Sequence, residues 1–110
     1  VSQEFSTLFN NYDFICSPTA PTTAFNKGKN TNDPMEMYLS DIATIPVNLA
    51  GLPAMSLPCG VDSAGLPIGL QMMAPWFKET PLLQAAHLLE QSLDFKSHAG
   101  FNVQEMLNAV

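Results

Sequence analysis

Acyl-transfer chemistry needs a hydroxyl or thiol with a base beside it, so the serines, cysteines and histidines are the first residues to weigh. No serine stands in a glycine-flanked GxSxG elbow or in a Gly-Gly-Ser-Ser run. Ser17 and Ser56 fall beside strand ends, where ordinary turn and strand serines predominate. Cys16 or Cys59 with His87 makes a cysteine–histidine pair on paper. However, His87 falls on the polar face of the last helical pattern, which predicts a solvated imidazole. His98 lies in a glycine-containing linker. Two distant histidines and dispersed acids do not converge as metal ligands must. Neither GxGxxG nor GxxxxGKS/T occurs. The residues themselves therefore assign no catalytic group and no metal ligand.

One acid stands apart. Asp41 is the only charged residue between Tyr38 and Ala50. A carboxylate in apolar company must be hydrogen-bonded, paired or facing a cavity, and no basic residue is near it in sequence. Two readings stay open here. Asp41 meets a cationic group from outside this chain, or it lies on the exposed side of a short helix.

The elements that must position these residues follow from pattern. Phe5, Leu8, Phe9 and Tyr12 recur at helical spacing and predict a helix over 2–12. The chain begins inside that pattern with no capping residue before it, as expected of a sequence that starts partway along a helix. Phe14-Ile15-Cys16, stopped by Ser17-Pro18, predicts a buried strand. Residues 17–34 read as a long loop rich in proline and asparagine, and loops of that length are usually functional or disordered. Lys27 and Lys29 in it are expected to be solvated. Asp33 is placed to cap a helix that opens at Pro34, with Met35, Tyr38, Leu39 and Ile42 on one face. Pro46 should break it, and Val47 to Ala50 can restart a short helix ended by Gly51. A β-hairpin follows, with arms at Ala54 to Pro58 and Pro67 to Met73 and a turn over 59–65. The small residues Ala54, Ser56 and Gly69 imply close approach by another backbone. A helix over 80–94 is expected, capped by Thr80, with Pro81 at its first position. Leu82, Ala86, Leu89 and Leu93 form its stripe, widened by Ala85 and Leu83.

The fold class is therefore α/β: helix, strand, loop, helix, β-hairpin, helix. Three strands between helices make a thin sheet, as expected of an edge segment of a larger mixed sheet. Residues 1–95 read as one domain part, and 96–110 as a linker followed by a tail or short terminal helix. Cys16 and Cys59 each end an apolar run and read as small core residues.

Composition narrows the function classes. Charged residues make up 13% of the 110, about half the roughly 25% usual for a soluble domain. There is no arginine, and the formal charge is −6. A nucleic-acid surface needs clustered basic residues, and bidentate capture of a phosphate or carboxylate needs a guanidinium; the chain has neither. No apolar run is long enough to span a membrane, and no basic start precedes an apolar stretch. So little charge on a small chain fits a piece of a larger body, with faces meant to be covered.

The run DPMEMYLSDIATIPVNLAGLPAMSLPCG at 33–60 resembles the amidase signature family. The flanks agree: YDFICSPTAP at 12–21 and GLPIGLQMMAPWFKETPLLQAAHLLEQ at 65–91. The resemblance reaches about residue 95. IPVNLAGLPAMSLPCG is general to the family. DPMEMYLSDI points to its branch of glutaminase subunits in tRNA-dependent amidotransferases. The resemblance implies the C-terminal part of an amidase-signature fold. It implies that the family's nucleophilic serine, bridging serine and lysine base lie in a preceding N-terminal part, so none is assigned here. It further implies that Asp41 faces the α-ammonium of substrate glutamine, that Thr19 in the SPTAPTTAF loop lies near the pocket, and that the arginine for the α-carboxylate is elsewhere. The expected partners are the N-terminal part of the same protein and the B and C subunits of the amidotransferase. Transfer RNA is met only through the complex, and ATP and Mg²⁺ are used by the partner subunit. The expected compartment is the cytoplasm, and the isolated chain is expected to be inactive and to self-associate. Other readings are a different amidase-signature amide hydrolase, or a non-catalytic interaction module.

Overall fold

The computed structural model describes residues 1–28 and 33–95. The linker and tail expected at 96–110, with His98, and the side chain of Lys29 lie outside the described residues. Helix α1 spans Ser2–Phe9. It ends sooner than the stripe predicts, because Asn10 and Asn11 close it with turn hydrogen bonds to Thr7 and Leu8. Phe5 and Phe9 stack at 6.5 Å, whereas Leu8 and Tyr12 are exposed. Strand β1 is Ile15–Pro18. Helix α2, Pro34–Ser40, opens as expected: the Asp33 carboxylate accepts from Met35 N at 3.0 Å and Glu36 N at 3.4 Å, and Pro34 fills a position whose N–H would have no partner.

A corner at residues 41–44 separates α2 from α3, Ile45–Ala50. Pro46 therefore sits in the first turn of α3 rather than breaking α2, where its missing N–H is harmless. Gly51 ends α3 with φ 69°. The Leu52 amide reaches back to Val47 O at 3.2 Å, a closure that requires the left-handed residue.

Strands β2, Ala54–Val61, and β3, Pro67–Met73, form the hairpin. β2 runs three residues beyond the expected arm because a bulge between Pro58 and Gly60 absorbs Cys59 and pairing resumes at Gly60. The sheet order is β1-β3-β2, antiparallel throughout. Helix α4, Glu79–Leu93, starts one residue before the expected Thr80 cap; Lys78 holds the N-cap position and Thr80 lies within the first turn.

The C-terminal end of the central strand, Gln71–Met73, is buried, and successive side chains there point to opposite faces. On one face Leu57, Met72 and Ala74 meet Leu82 and Ala86 of α4. On the other, Met73 joins Val47, Ala50 and Leu52, flanked by Phe5, Phe9, Ile15 and Trp76. Each large side chain so buried contributes about 1.5–3 kcal/mol relative to exposure. Trp76 Nε1 adds a 2.9 Å bond to Ala50 O. α4 packs on β2 and β3, so Cys16, on the outer strand, is exposed rather than in the core, and Cys59 at the bulge is half-buried. Leu83 likewise points away from the sheet, 60% exposed.

Candidate functional site

The face of the sheet that carries Met73 changes character along its length. Its first cross-strand row is apolar: Ile15, Met73 and Ala54. The next row is polar: Ser17, Gln71 and Ser56. Beyond it, the Thr19 amide bonds to Gly69 O at 3.0 Å, and the Thr19 and Ser56 hydroxyls share a 2.6 Å hydrogen bond. Gly69 is required here by space. A Cβ at this position would stand 2.9 Å from Ser56 Oγ and 3.0 Å from Thr19 Oγ1. The close approach expected from the small residues is thus made at Gly69 by two side chains, not by another backbone.

Above this row opens a cleft of about 560 Å³. It is lined by Pro18 to Phe25 of β1 and the loop, by Ser56, Pro67, Ile68 and Gly69 of the hairpin, and by Ser40 from the end of α2. A mostly apolar cleft with a few hydroxyls suits a small polar ligand that carries an aliphatic stem.

The loop is tied to the hairpin turn. Thr23 donates its hydroxyl to Asp62 Oδ2 at 2.7 Å. Asp62 Oδ1 accepts from the Ala64 and Leu66 amides, both at 2.9 Å. The Thr23 hydroxyl first, then the Leu66 amide, hold the Asp62 carboxyl below its ordinary range; desolvation opposes them and is outweighed.

Of the expected site residues, Thr19 lies in the cleft. Asp41 follows Ser40 immediately, is exposed, and is not itself among the lining residues. Its backbone carbonyl accepts from Thr44 N at 3.0 Å, Ile45 N at 3.1 Å and Thr44 Oγ1 at 3.0 Å, which forms the corner. Its carboxylate has no hydrogen-bond or ion-pair partner among the described residues. A carboxylate left exposed beside a residue that lines the cleft is able to meet a cation.

Sequence reasoning did not single out Gln71 or Asp62. Gln71 is 5% exposed, and its Nε2 donates to Ser17 Oγ at 3.1 Å and Ala43 O at 3.0 Å. Asp62 carries the local signal of an Asp two residues before Ala64 in a glycine-containing turn. The cysteine–histidine pair is not assembled: Cys16 and His87 are exposed, and Cys59 directs its thiol to Ile68 O at 3.5 Å. Among the described residues, no three His, Cys, Asp or Glu side chains are grouped to hold a metal ion. No helix among them is long and apolar enough to cross a membrane.

A family model described as Amidase matches residues 1–83. The A subunit of glutamyl-tRNA(Gln) amidotransferase from Synechococcus sp. (strain RCC307) is 58% identical over 94 residues, 86% of this chain and 19% of that protein. The same subunit of Halothermothrix orenii is 55% identical over 97 residues, 88% and 20%. Among solved structures, the A subunit of the Thermotoga maritima glutamyl-tRNA(Gln) amidotransferase is similar with a TM-score of 0.68 and 44% identity, over 74% of this chain and 18% of that one. A 6-aminohexanoate cyclic dimer hydrolase complexed with substrate is similar with a TM-score of 0.71 and 27% identity, over 89% and 22%. The chain spans about a fifth of the length of the curated relatives it matches.

Proposed function

Because the chain belongs to the amidase family, we propose that it is the C-terminal part of a glutaminase subunit in a tRNA-dependent amidotransferase, and that it supplies one wall of the glutamine pocket. The observation that carries the reading is Asp41: an exposed, unpartnered carboxylate at the corner that directly follows Ser40, a residue lining the mostly apolar cleft. Identities of 55–58% to proteins named as that subunit support it.

The chemistry divides between this chain and the rest of the protein. A serine outside this chain attacks the side-chain amide carbon of glutamine; the C–N bond breaks, the nitrogen takes a proton and leaves as ammonia, and water releases glutamate from the acyl-enzyme. Asp41 holds the α-ammonium by a charge-assisted hydrogen bond. Thr19, fixed by Ser56 and Gly69, shapes the cleft on the side of the aliphatic stem. The ammonia then serves the amidation of glutamate on a misacylated tRNA by the B subunit, which uses ATP and Mg²⁺; the C subunit covers further surface of the assembly, in the cytoplasm.

Asp41→Asn in the full-length subunit is the test. A charged hydrogen bond is worth about 1.5–3 kcal/mol, so KM for glutamine should rise roughly ten- to a hundredfold. Hydrolysis of a primary amide without an α-ammonium should be unchanged. An unaltered KM for glutamine overturns the reading. A second reading, a hydrolase of other amides, is favoured by the similarity to the 6-aminohexanoate cyclic dimer hydrolase. It requires simple aliphatic amides to be turned over better than glutamine.

A further inference from the structure

Gln71 is the buried polar side chain at the centre of the sheet, and its two hydrogen bonds have different consequences. The bond to Ser17 Oγ crosses between strands already paired at that row, so it repeats what the ladder fixes. The bond to Ala43 O leaves the sheet and reaches the corner at 41–44. A backbone carbonyl only accepts, so the NH₂ of the amide must face Ala43, and the side chain has one usable orientation.

Among the described residues, no other hydrogen bond ties the corner to the sheet. Its remaining hydrogen bonds are local: the Asp41 and Ile42 amides to Tyr38 O and Leu39 O, and Thr44, Ile45 and Asn48 to Asp41 and Thr44. Among the described residues, Gln71 is the one side chain from outside 34–51 that bonds to residues 41–44. Downstream, α3 is fixed by burial of Val47 and Ala50 and by the Trp76 bond to Ala50 O. Upstream, α2 shows Met35, Tyr38 and Leu39 more than 40% exposed, so packing within this chain does not hold it. Asp41 stands between the fixed helix and the loosely held one.

We infer that Gln71 is a positioning residue for substrate binding, which acts through Ala43 to set where Asp41 presents its carboxylate to the ammonium of the substrate. This inference rests on the ammonium reading of Asp41. Gln71 does not touch substrate; without its bond the corner keeps its local hydrogen bonds but loses its tie to the sheet, and the charge meets its partner in fewer of the populated geometries.

The test is steady-state glutaminase kinetics of the full-length subunit in complex with its partners. Gln71→Met keeps volume and removes the donor. KM for glutamine should rise about three- to tenfold, the equivalent of one hydrogen bond, with kcat within twofold. In an Asp41→Asn background the same substitution should change KM less than twofold, because the group it positions is already gone. Ser17→Ala, which leaves the Ala43 bond intact, should shift KM less than twofold. If Gln71→Met lowers the folded yield, Gln71→Asn makes the same comparison, since its amide is one methylene short of Ala43. A raised KM in Asp41→Asn with an undiminished Gln71→Met effect in that background overturns this inference alone. So does a Ser17→Ala effect as large as that of Gln71→Met. An unchanged KM in Asp41→Asn overturns the ammonium reading and this inference with it.

Discussion

Gly69→Ala should open the lining of the cleft, and its magnitude can be worked from three distances. The new Cβ would stand 2.9 Å from Ser56 Oγ, 3.0 Å from Thr19 Oγ1 and 3.2 Å from Thr19 Cβ. The two oxygens form a 2.6 Å pair and cannot both retreat without giving up that bond. The third atom is fixed to a backbone whose amide is bonded to Gly69 O. Gly69 is not among the residues with positive φ, so alanine fits the backbone, and restriction of the unfolded chain returns about 0.4–1 kcal/mol. Against this stand about 1–3 kcal/mol for overpacking and about 1 kcal/mol for the lost hydroxyl bond. The net is a destabilisation of about 1–3 kcal/mol. Hydrogen exchange in the full-length subunit reads it locally. The Thr19 amide should exchange roughly five- to a hundredfold faster while amides of α4 keep their rates. Ser56→Ala in the same chain removes the shortest contact and should restore part of the loss, a coupling of about 0.5 kcal/mol or more. A Gly69→Ala protein of equal or greater stability, with Thr19 exchange unchanged, would refute the steric argument.

Two further outcomes are expected. Because the folded-state pKa of Asp62 is depressed, the tie between Thr23, Asp62 and the turn amides is complete above the ordinary value of 3.8 and fails as pH falls through the lower folded value. Amide shifts of Ala64 and Leu66 should therefore show an inflection below 3.8 that Asp62→Asn abolishes, and an inflection at or above it would contradict the assigned bonds. The 110-residue chain by itself should self-associate, since Phe77 is 91% exposed, Leu49 71% and Leu88 67%; a monomer at high concentration in sedimentation velocity would count against it.

Local signals carried most of the element order. Asp33-Pro34 stated its cap, Gly51 its stop, and Leu82, Ala86, Leu89 and Leu93 their stripe, because each depends on residues within a turn or two. What the sequence left dark depends on which element lies over which. Cys16 looks like a core residue by its neighbours, yet α4 does not extend across β1. Leu83 belongs to an apolar cluster along the chain and still points outward. Asp41 was legible as an isolated acid, and Thr19 through resemblance. Gln71 was not, because its meaning requires Ser17, 54 positions away, and the Ala43 carbonyl, 28 away, to arrive beside it.

The strand order β1-β3-β2 also dictates a sequence of assembly. The hairpin closes across a short turn, whereas β1 must return to the far edge of β3 over more than fifty residues. By polymer statistics that later closure carries about 2 kcal/mol more entropy loss, so docking of β1 belongs late in folding. The threonine–serine hydroxyl pair and the loop above it depend on that docking. A nascent chain can therefore hold its hairpin and last helix while the recess for a ligand does not yet exist, and a lesion at the β1–β3 seam would remove the recess before it unravels the rest.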